Sequence, residues 1–71
     1  MNIEEFNEWL KLKTVPLPRH LRRGQLMVSE LYKMFPVIYG QVVGSDAPNV
    51  DAFYNDDLID RMIDFVRERV K

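Results

Sequence analysis

The segment from Asn55 to Val70 reads NDDLIDRMIDFVRERV and has the strongest helical pattern in the chain. Its apolar side chains recur at the three- and four-residue spacing that places them on one face of an α-helix. These positions are Ile59, Met62, Ile63, Val66 and Val70. Asn55 suits the N-cap, and the two aspartates that follow favour the positive end of the helix dipole. We therefore predict a helix over residues 56–70.

A first helix is predicted over residues 3–13, where Asn2 and Glu5 have the spacing of a capping box. Its apolar stripe is predicted to contain Ile3, Phe6, Leu10 and Lys13, with Trp9 at the edge. The two prolines in Thr14–Pro18 then end the helix, because proline removes a donor and restricts the residue before it.

A second helix is predicted over residues 19–35, with its apolar face on Leu21, Gly24, Val28, Leu31 and Phe35. A glycine inside a helix costs about 1 kcal/mol relative to alanine. Because Gly24 lies on the apolar face, we expect another backbone to pack closely against it.

Residues 37–43 are predicted to form a third, short helix. Pro36 suits its first turn, and Gly44 is predicted to end it in a left-handed conformation. The alternative is a buried strand, since most of these residues are β-branched or aromatic. We favour the helix because no partner strand is evident elsewhere in the sequence.

These elements predict an all-α fold, a small three- to four-helix bundle in a single domain over residues 1–71. The absence of cysteine excludes disulfides and thiolate metal sites. A domain this small buries only about 60% of its unfolded surface, so its core is thin. We therefore expect it to bind a protein partner or to self-associate.

The net charge of −1 conceals two segments of opposite sign. Residues 9–29 contain five Lys and Arg side chains and no acid, whereas residues 46–60 contain five Asp and no base. Three interpretations remain open: the segments pair internally, the cations bind an acidic protein surface, or they bind nucleic acid. The near-zero net charge disfavours nucleic acid.

The predicted partner-binding residues are Arg19, Arg22, Arg23 and Trp9. The arginines fall in the first turns of the predicted second helix, where the dipole disfavours cations, so an external anion would compensate. Trp9 is the best candidate for an exposed interface anchor, although core packing is the competing interpretation that we favour for it. The alternative function is nucleic-acid binding through the basic segment from Lys11 to Arg23.

No residue pattern indicates catalysis, a cofactor or a metal site. The single His20 has no evident orienting group or nucleophile near it in sequence. The acidic loop over residues 46–57 has proline and valine at calcium-ligand positions and lacks the glycine of the sharp turn. We therefore predict a protein that is not an enzyme.

The opening Met1-Asn2-Ile3-Glu4-Glu5 is acidic and is followed by no long apolar run, so we expect no secretory signal. The longest nearly apolar stretch, residues 34–44, is far shorter than a membrane span. We expect a cytoplasmic protein that does not enter a membrane.

Several short motifs occur in a distinctive order: Arg22-Arg23-Gly24-Gln25, Leu31-Tyr32, Pro36, Tyr39 and Phe53-Tyr54-Asn55-Asp56-Asp57 before the last helix. Over residues 19–70 this order resembles that of small uncharacterised bacteriophage proteins. The resemblance implies a phage-encoded protein that acts in the host bacterial cytoplasm, and such proteins often bind and redirect a host protein. It implies no catalytic residue.

Overall fold

The computed structural model describes residues 2–44 and 49–70. Within these residues it contains four α-helices: α1 (Ile3–Leu10), α2 (Arg23–Met34), α3 (Pro36–Val43) and α4 (Ile59–Arg67). A 3₁₀ turn at Lys11–Lys13 extends α1, and another at Asp56–Leu58 precedes α4. The predicted all-α fold is confirmed, and residues 37–43 are helical rather than extended.

The core forms around α2, which contacts α1, α3 and the 3₁₀ turn before α4. Helix α4 packs in turn against α3. The buried side chains are all apolar: Phe6, Trp9, Met27, Val28, Leu31, Phe35, Ile38, Val42, Ala52, Ile59, Met62, Ile63 and Val66. The predicted inner face of the last helix is therefore confirmed, except that Val70 is only partly buried.

The predicted capping box of α1 is present, because Glu5 N donates to Asn2 Oδ1 at 2.8 Å and Asn2 N donates to Glu5 Oε1 at 3.2 Å. The apolar stripe of α1 differs from the predicted one and is centred on Phe6 and Trp9. Phe6 and Trp9 are buried, whereas Ile3 is 56% exposed. The shift follows from a tertiary contact, since Trp9 lies against α2 and thereby sets the rotation of α1.

Helix α2 begins at Arg23, and its prediction from residue 19 was wrong. The backbone of Leu21 instead donates to Pro18 O at 3.2 Å in a turn, and Arg22 is extended with ψ 157°. The helix therefore starts one turn later than the proline spacing suggested. Of the three predicted arginines, only Arg23 lies in the first helical turn.

Gly44 was predicted to be left-handed and is instead extended, with φ −85° and ψ 178°. Its lack of a side chain has a different reason, because a Cβ there would lie 2.6 Å from the Gly40 oxygen. Asn55 caps the last helical segment as predicted, and its side chain accepts from Asp57 N at 3.0 Å. That segment starts as a 3₁₀ turn, and its α-helical part ends at Arg67.

The close packing predicted at Gly24 is confirmed. A Cβ on Gly24 would lie 1.9 Å from the backbone oxygen of Ala52 and 3.0 Å from Asp56 Oδ1. Backbone atoms cannot rotate away as a side chain can. The start of α2 and the segment around Ala52 therefore depend on each other for their positions.

Substitution Gly24→Ala should lower the free energy of unfolding by about 2 kcal/mol, because the added methyl overpacks a backbone contact. Gly40→Ala is the matched control, since a Cβ there has nothing within 4 Å. It should raise stability by about 0.5–1 kcal/mol through helix propensity. Urea unfolding at micromolar protein, followed by Trp9 emission, measures both. Equal effects of the two substitutions would contradict the contact.

Candidate functional site

A groove lies between α2, α3 and the segment that leads to the last helix. It consists of two adjoining pockets of about 210 Å³ each, which share Val28, Tyr39 and Phe53 in their walls. We call it the aromatic groove and define it by Val28, Tyr32, Tyr39, Val43, Phe53 and Tyr54. The lining of the two pockets also includes Ser29, Lys33 and Asp51. Val28 is buried at its base, whereas Tyr32 is 58% and Tyr54 78% exposed.

Two edge-to-face aromatic pairs shape this groove. The Tyr32 and Tyr39 rings have their centroids 4.8 Å apart, and the Phe53 and Tyr54 rings 4.7 Å apart. Such pairs are favourable beyond the apolar area that they bury, so each ring restrains its neighbour. The groove therefore presents paired aromatic rings to solvent.

The segment from Asp51 to Asp56 is fastened to the N-terminus of α2. Asp51 Oδ1 accepts from Phe53 N at 3.0 Å and fixes a local turn. Asp56 Oδ1 accepts from Gly24 N at 2.8 Å. Because the N-cap residue Arg22 has no capping side chain, a carboxylate 32 residues away satisfies this helix-end donor.

Of the three predicted arginines, Arg22 lies beside the groove. Its Nη2 donates to Phe53 O at 3.3 Å, and its guanidinium carbon lies 6.0 Å from the Tyr54 ring centroid. Arg22 is exposed, and this contact to a carbonyl leaves its positive charge uncompensated by any acid among the described residues. The prediction thus identified a cation that borders the groove.

Arg23 and Arg19 have different surroundings. Arg23 is partly buried, and its Nη1 donates to Leu12 O at 2.8 Å and to Val15 O, so it holds the chain that leaves the first 3₁₀ turn. Arg19 is exposed in the turn before α2. Arg23 is thus committed to the fold, whereas Arg19 and Arg22 face solvent.

The prediction of Trp9 as an exposed anchor was wrong. Trp9 is 0% exposed, and its Nε1 donates to Met27 O at 2.9 Å. A buried indole normally finds an acceptor for its N–H, and here a helix backbone supplies one. The competing interpretation, core packing, describes this residue.

Aspartate side chains of residues 46–60 contact the basic segment at two places in the described part of the chain. Lys13 Nζ lies 3.1 Å from Asp60 Oδ1 in an exposed ion pair, and Asp56 reaches the start of α2. Exposed pairs of this kind contribute about 1 kcal/mol or less. Among residues 2–44 and 49–70, neither Arg22 nor Arg23 forms an ion pair with an aspartate. Asp46 lies outside the described residues.

The other features considered in the sequence were His20, a metal site, a membrane span and the acidic loop. His20 is exposed in the turn before α2. Among residues 2–44 and 49–70, no group of three or more His, Asp or Glu side chains is placed to hold a metal ion. No helix in these ranges is long and apolar enough to cross a membrane. The acidic loop over residues 46–57, which the sequence disfavours as a calcium site, begins outside the described residues.

The sequence analysis missed the aromatic groove. Its walls come from three separate segments, and only their folding brings Tyr32, Tyr39 and Phe53 together. One signal was available, because Tyr32 lies off the apolar face predicted for the second helix. A large aromatic side chain outside the inner face is a candidate for an exposed contact.

Substitution Asp56→Ala should lower the free energy of unfolding by about 1 kcal/mol, because the Gly24 N–H then loses its capping acceptor. Asp56→Asn keeps an acceptor and should lose less than half of that. Asp57→Ala removes the same charge from the adjacent exposed position and is the control. Urea unfolding curves compare the three, and an equal loss for Asp56→Ala and Asp57→Ala would show that the capping bond contributes nothing specific.

No protein-family model matches the chain, and no curated protein or solved structure shows significant similarity to it.

Proposed function

We propose that this chain is a small non-enzymatic protein-binding module whose contact surface is the aromatic groove with Arg22 at its border. The observation that carries the proposal is the pairing of a partly buried Phe53 with an exposed Tyr54 next to an exposed guanidinium. Tyrosine and arginine dominate the binding energy of protein interfaces, especially around a pocket that an anchor side chain can fill.

The division of the groove into two pockets suits side chains of a partner segment. Each pocket is about 210 Å³, and each alone is smaller than the range of about 300–1,000 Å³ that is typical of small-molecule sites. Two adjoining pockets of this size suit two neighbouring apolar side chains of a partner segment. Arg22 at the border and Lys33 in the lining favour a segment that also carries a carboxylate.

The resemblance to small bacteriophage proteins supplies a biological context for this proposal. In that context the protein is phage-encoded, acts in the bacterial cytoplasm, and binds a host or phage protein to modulate it. An exposed groove on a small fold suits such a role, because it needs a contact surface and no catalytic group.

Nucleic-acid binding through Lys11–Arg23 is the alternative, and the side-chain contacts support it less. Lys13 pairs with Asp60, Lys11 pairs with Glu8 at 2.8 Å, and Arg23 donates to backbone carbonyls. A phosphate-binding strip needs several cations that face solvent together. Among the described residues, Arg19 and Arg22 are the exposed cations of this segment that form no ion pair.

The proposal is tested by selecting peptides from a random display library against the folded protein. The enriched peptides should combine large apolar residues with Asp or Glu. Titration of a selected peptide should show about tenfold weaker binding for Tyr54→Ala and for Arg22→Ala, because each removes an interface anchor.

The controls are Ile3→Ala and Arg61→Ala, which change exposed residues on α1 and α4 and should leave the affinity unchanged. Peptides that bind all four variants equally would refute the groove as the site. Gel shifts with single- and double-stranded DNA and RNA address the alternative. Steeply salt-dependent binding that Arg22→Ala abolishes would favour nucleic acid over a protein partner.

A further inference from the structure

Helix α3 has a solvent-facing side that carries no charge and no hydrogen-bonding side chain. We call this side the outer face of α3 and define it by Pro36, Val37, Gly40, Val43 and Gly44, all of which are exposed. Val37 is 75% exposed and Val43 is 40% exposed. Two exposed valines on one helical face, with only proline and glycine between and beside them, leave apolar surface in water.

The remaining side chains of α3 have partners within the fold. Ile38 and Val42 are buried, and the Tyr39 ring packs on Tyr32. Gln41, the one side chain of α3 with an amide, accepts through Oε1 from Arg69 Nε at 2.7 Å and so links α3 to α4. The outer face is therefore apolar because the polar side chain of the helix is directed elsewhere.

Gly40 lies at the centre of this face and has no internal reason to be glycine. A Cβ there would have nothing within 4 Å, and its backbone has no positive φ. Gly24 and Gly44 differ, since a Cβ on either would meet a backbone oxygen. Glycine destabilises a helix relative to alanine, so Gly40 weakens α3. Because it has no side chain, it also leaves a shallow depression between Val37 and Val43.

From these observations we propose that the outer face of α3 is a self-association surface, whose occupant is the same face of a second copy of the chain. A two-fold interface places each patch against itself, so any charge on it would meet a like charge. Residues 34–44 contain no charged side chain, and the net charge of −1 adds little repulsion between copies. The groove, by contrast, carries charged side chains of both signs, Asp51, Lys33 and Arg22, which suit a dissimilar partner.

The sequence spacing also fixes how the two copies meet. Val37 and Val43 lie three residues on either side of Gly40. If the two-fold axis passes next to Gly40 and the helices run antiparallel, Val37 of each copy packs against Val43 of the other. The two Gly40 residues then face each other, and the absence of side chains lets the helix backbones approach closely.

The contact should be weak. A helix of eight residues is only about 12 Å long, so two such helices bury less than the roughly 800 Å² per partner of a standard interface. We therefore expect a monomer–dimer equilibrium with a dissociation constant in the micromolar to millimolar range. The two surfaces meet at Val43, which also lines the groove, whereas Val37 does not line it. Substitutions at Val37 therefore test self-association apart from the proposed function.

Sedimentation equilibrium of the full chain, from micromolar to millimolar concentration, tests the proposal. The wild type should shift from monomer to dimer. Val37→Lys should weaken association by about tenfold or more, and Val43→Glu should do the same, because each buries an unpaired charge. Asn7→Lys, on the exposed side of α1, adds the same charge as Val37→Lys and should leave association unchanged.

Mixing the Val37→Lys and Val43→Glu proteins tests the register. The antiparallel arrangement brings these two positions together, so the mixture should form a heterodimer. Mixing Val37→Lys with Val37→Glu should not, since those positions lie apart. Gly40→Ala should stabilise the monomer and yet weaken the dimer, which an internal structural role would not produce.

A wild type that stays monomeric at millimolar concentration would overturn the proposal, and so would a dimer that survives Val37→Lys. Far-ultraviolet circular dichroism and Trp9 emission confirm that each variant is folded. Val37→Lys should still bind the groove-selected peptide at micromolar concentration. Failure of self-association and failure of the peptide groove are therefore separate results.

Discussion

The start of α2 depends on a contact between two distant pieces of backbone. Gly24 faces the carbonyl of Ala52 at a distance that excludes any side chain, and Asp56 accepts from the Gly24 N–H. The contact has two structural effects. It supplies the capping group that α2 lacks locally, and it seats the segment from 51 to 56 on the helix. The loss of either partner would leave the other without its support.

The aromatic groove exists because of this contact. Phe53 and Tyr54 lie between Ala52 and Asp56, so the two anchored residues hold the aromatic pair beside Val28 of α2. The same seating brings the Phe53 carbonyl within reach of Arg22. Adjacent arginines consequently acquire different roles, since Arg23 turns to the chain after α1 while Arg22 borders the groove. In the sequence the two arginines are equivalent positive charges, and their different contacts follow only from the geometry at the start of α2.

The features that could be predicted from sequence are those determined by short-range chemistry. The capping box of α1, Pro36 at the start of α3, Asn55 as a cap and the inner face of α4 each involve residues close together in the chain. Gly24 was predictable in part, because a glycine on an apolar face implies a close neighbour without naming it. The start of α2 and the groove were missed, and the burial of Trp9 was one of two interpretations, because each depends on a contact across the fold. The Trp9 indole, for example, finds its acceptor 18 residues away.

Comparison of the glycines argues for two surfaces with different partners. Gly24 has an internal explanation, and a methyl group there would displace the segment that carries Phe53 and Tyr54. Gly40 has none within the described residues, although it weakens the helix that contains it. A destabilising residue with no internal contact is consistent with a contact made by another molecule. Because its surroundings are uncharged while those of Tyr54 include Arg22, a single partner chemistry does not suit both places. Because the core is thin, binding a second copy through the outer face of α3 would bury further apolar surface. The aromatic groove would then remain available to a different protein.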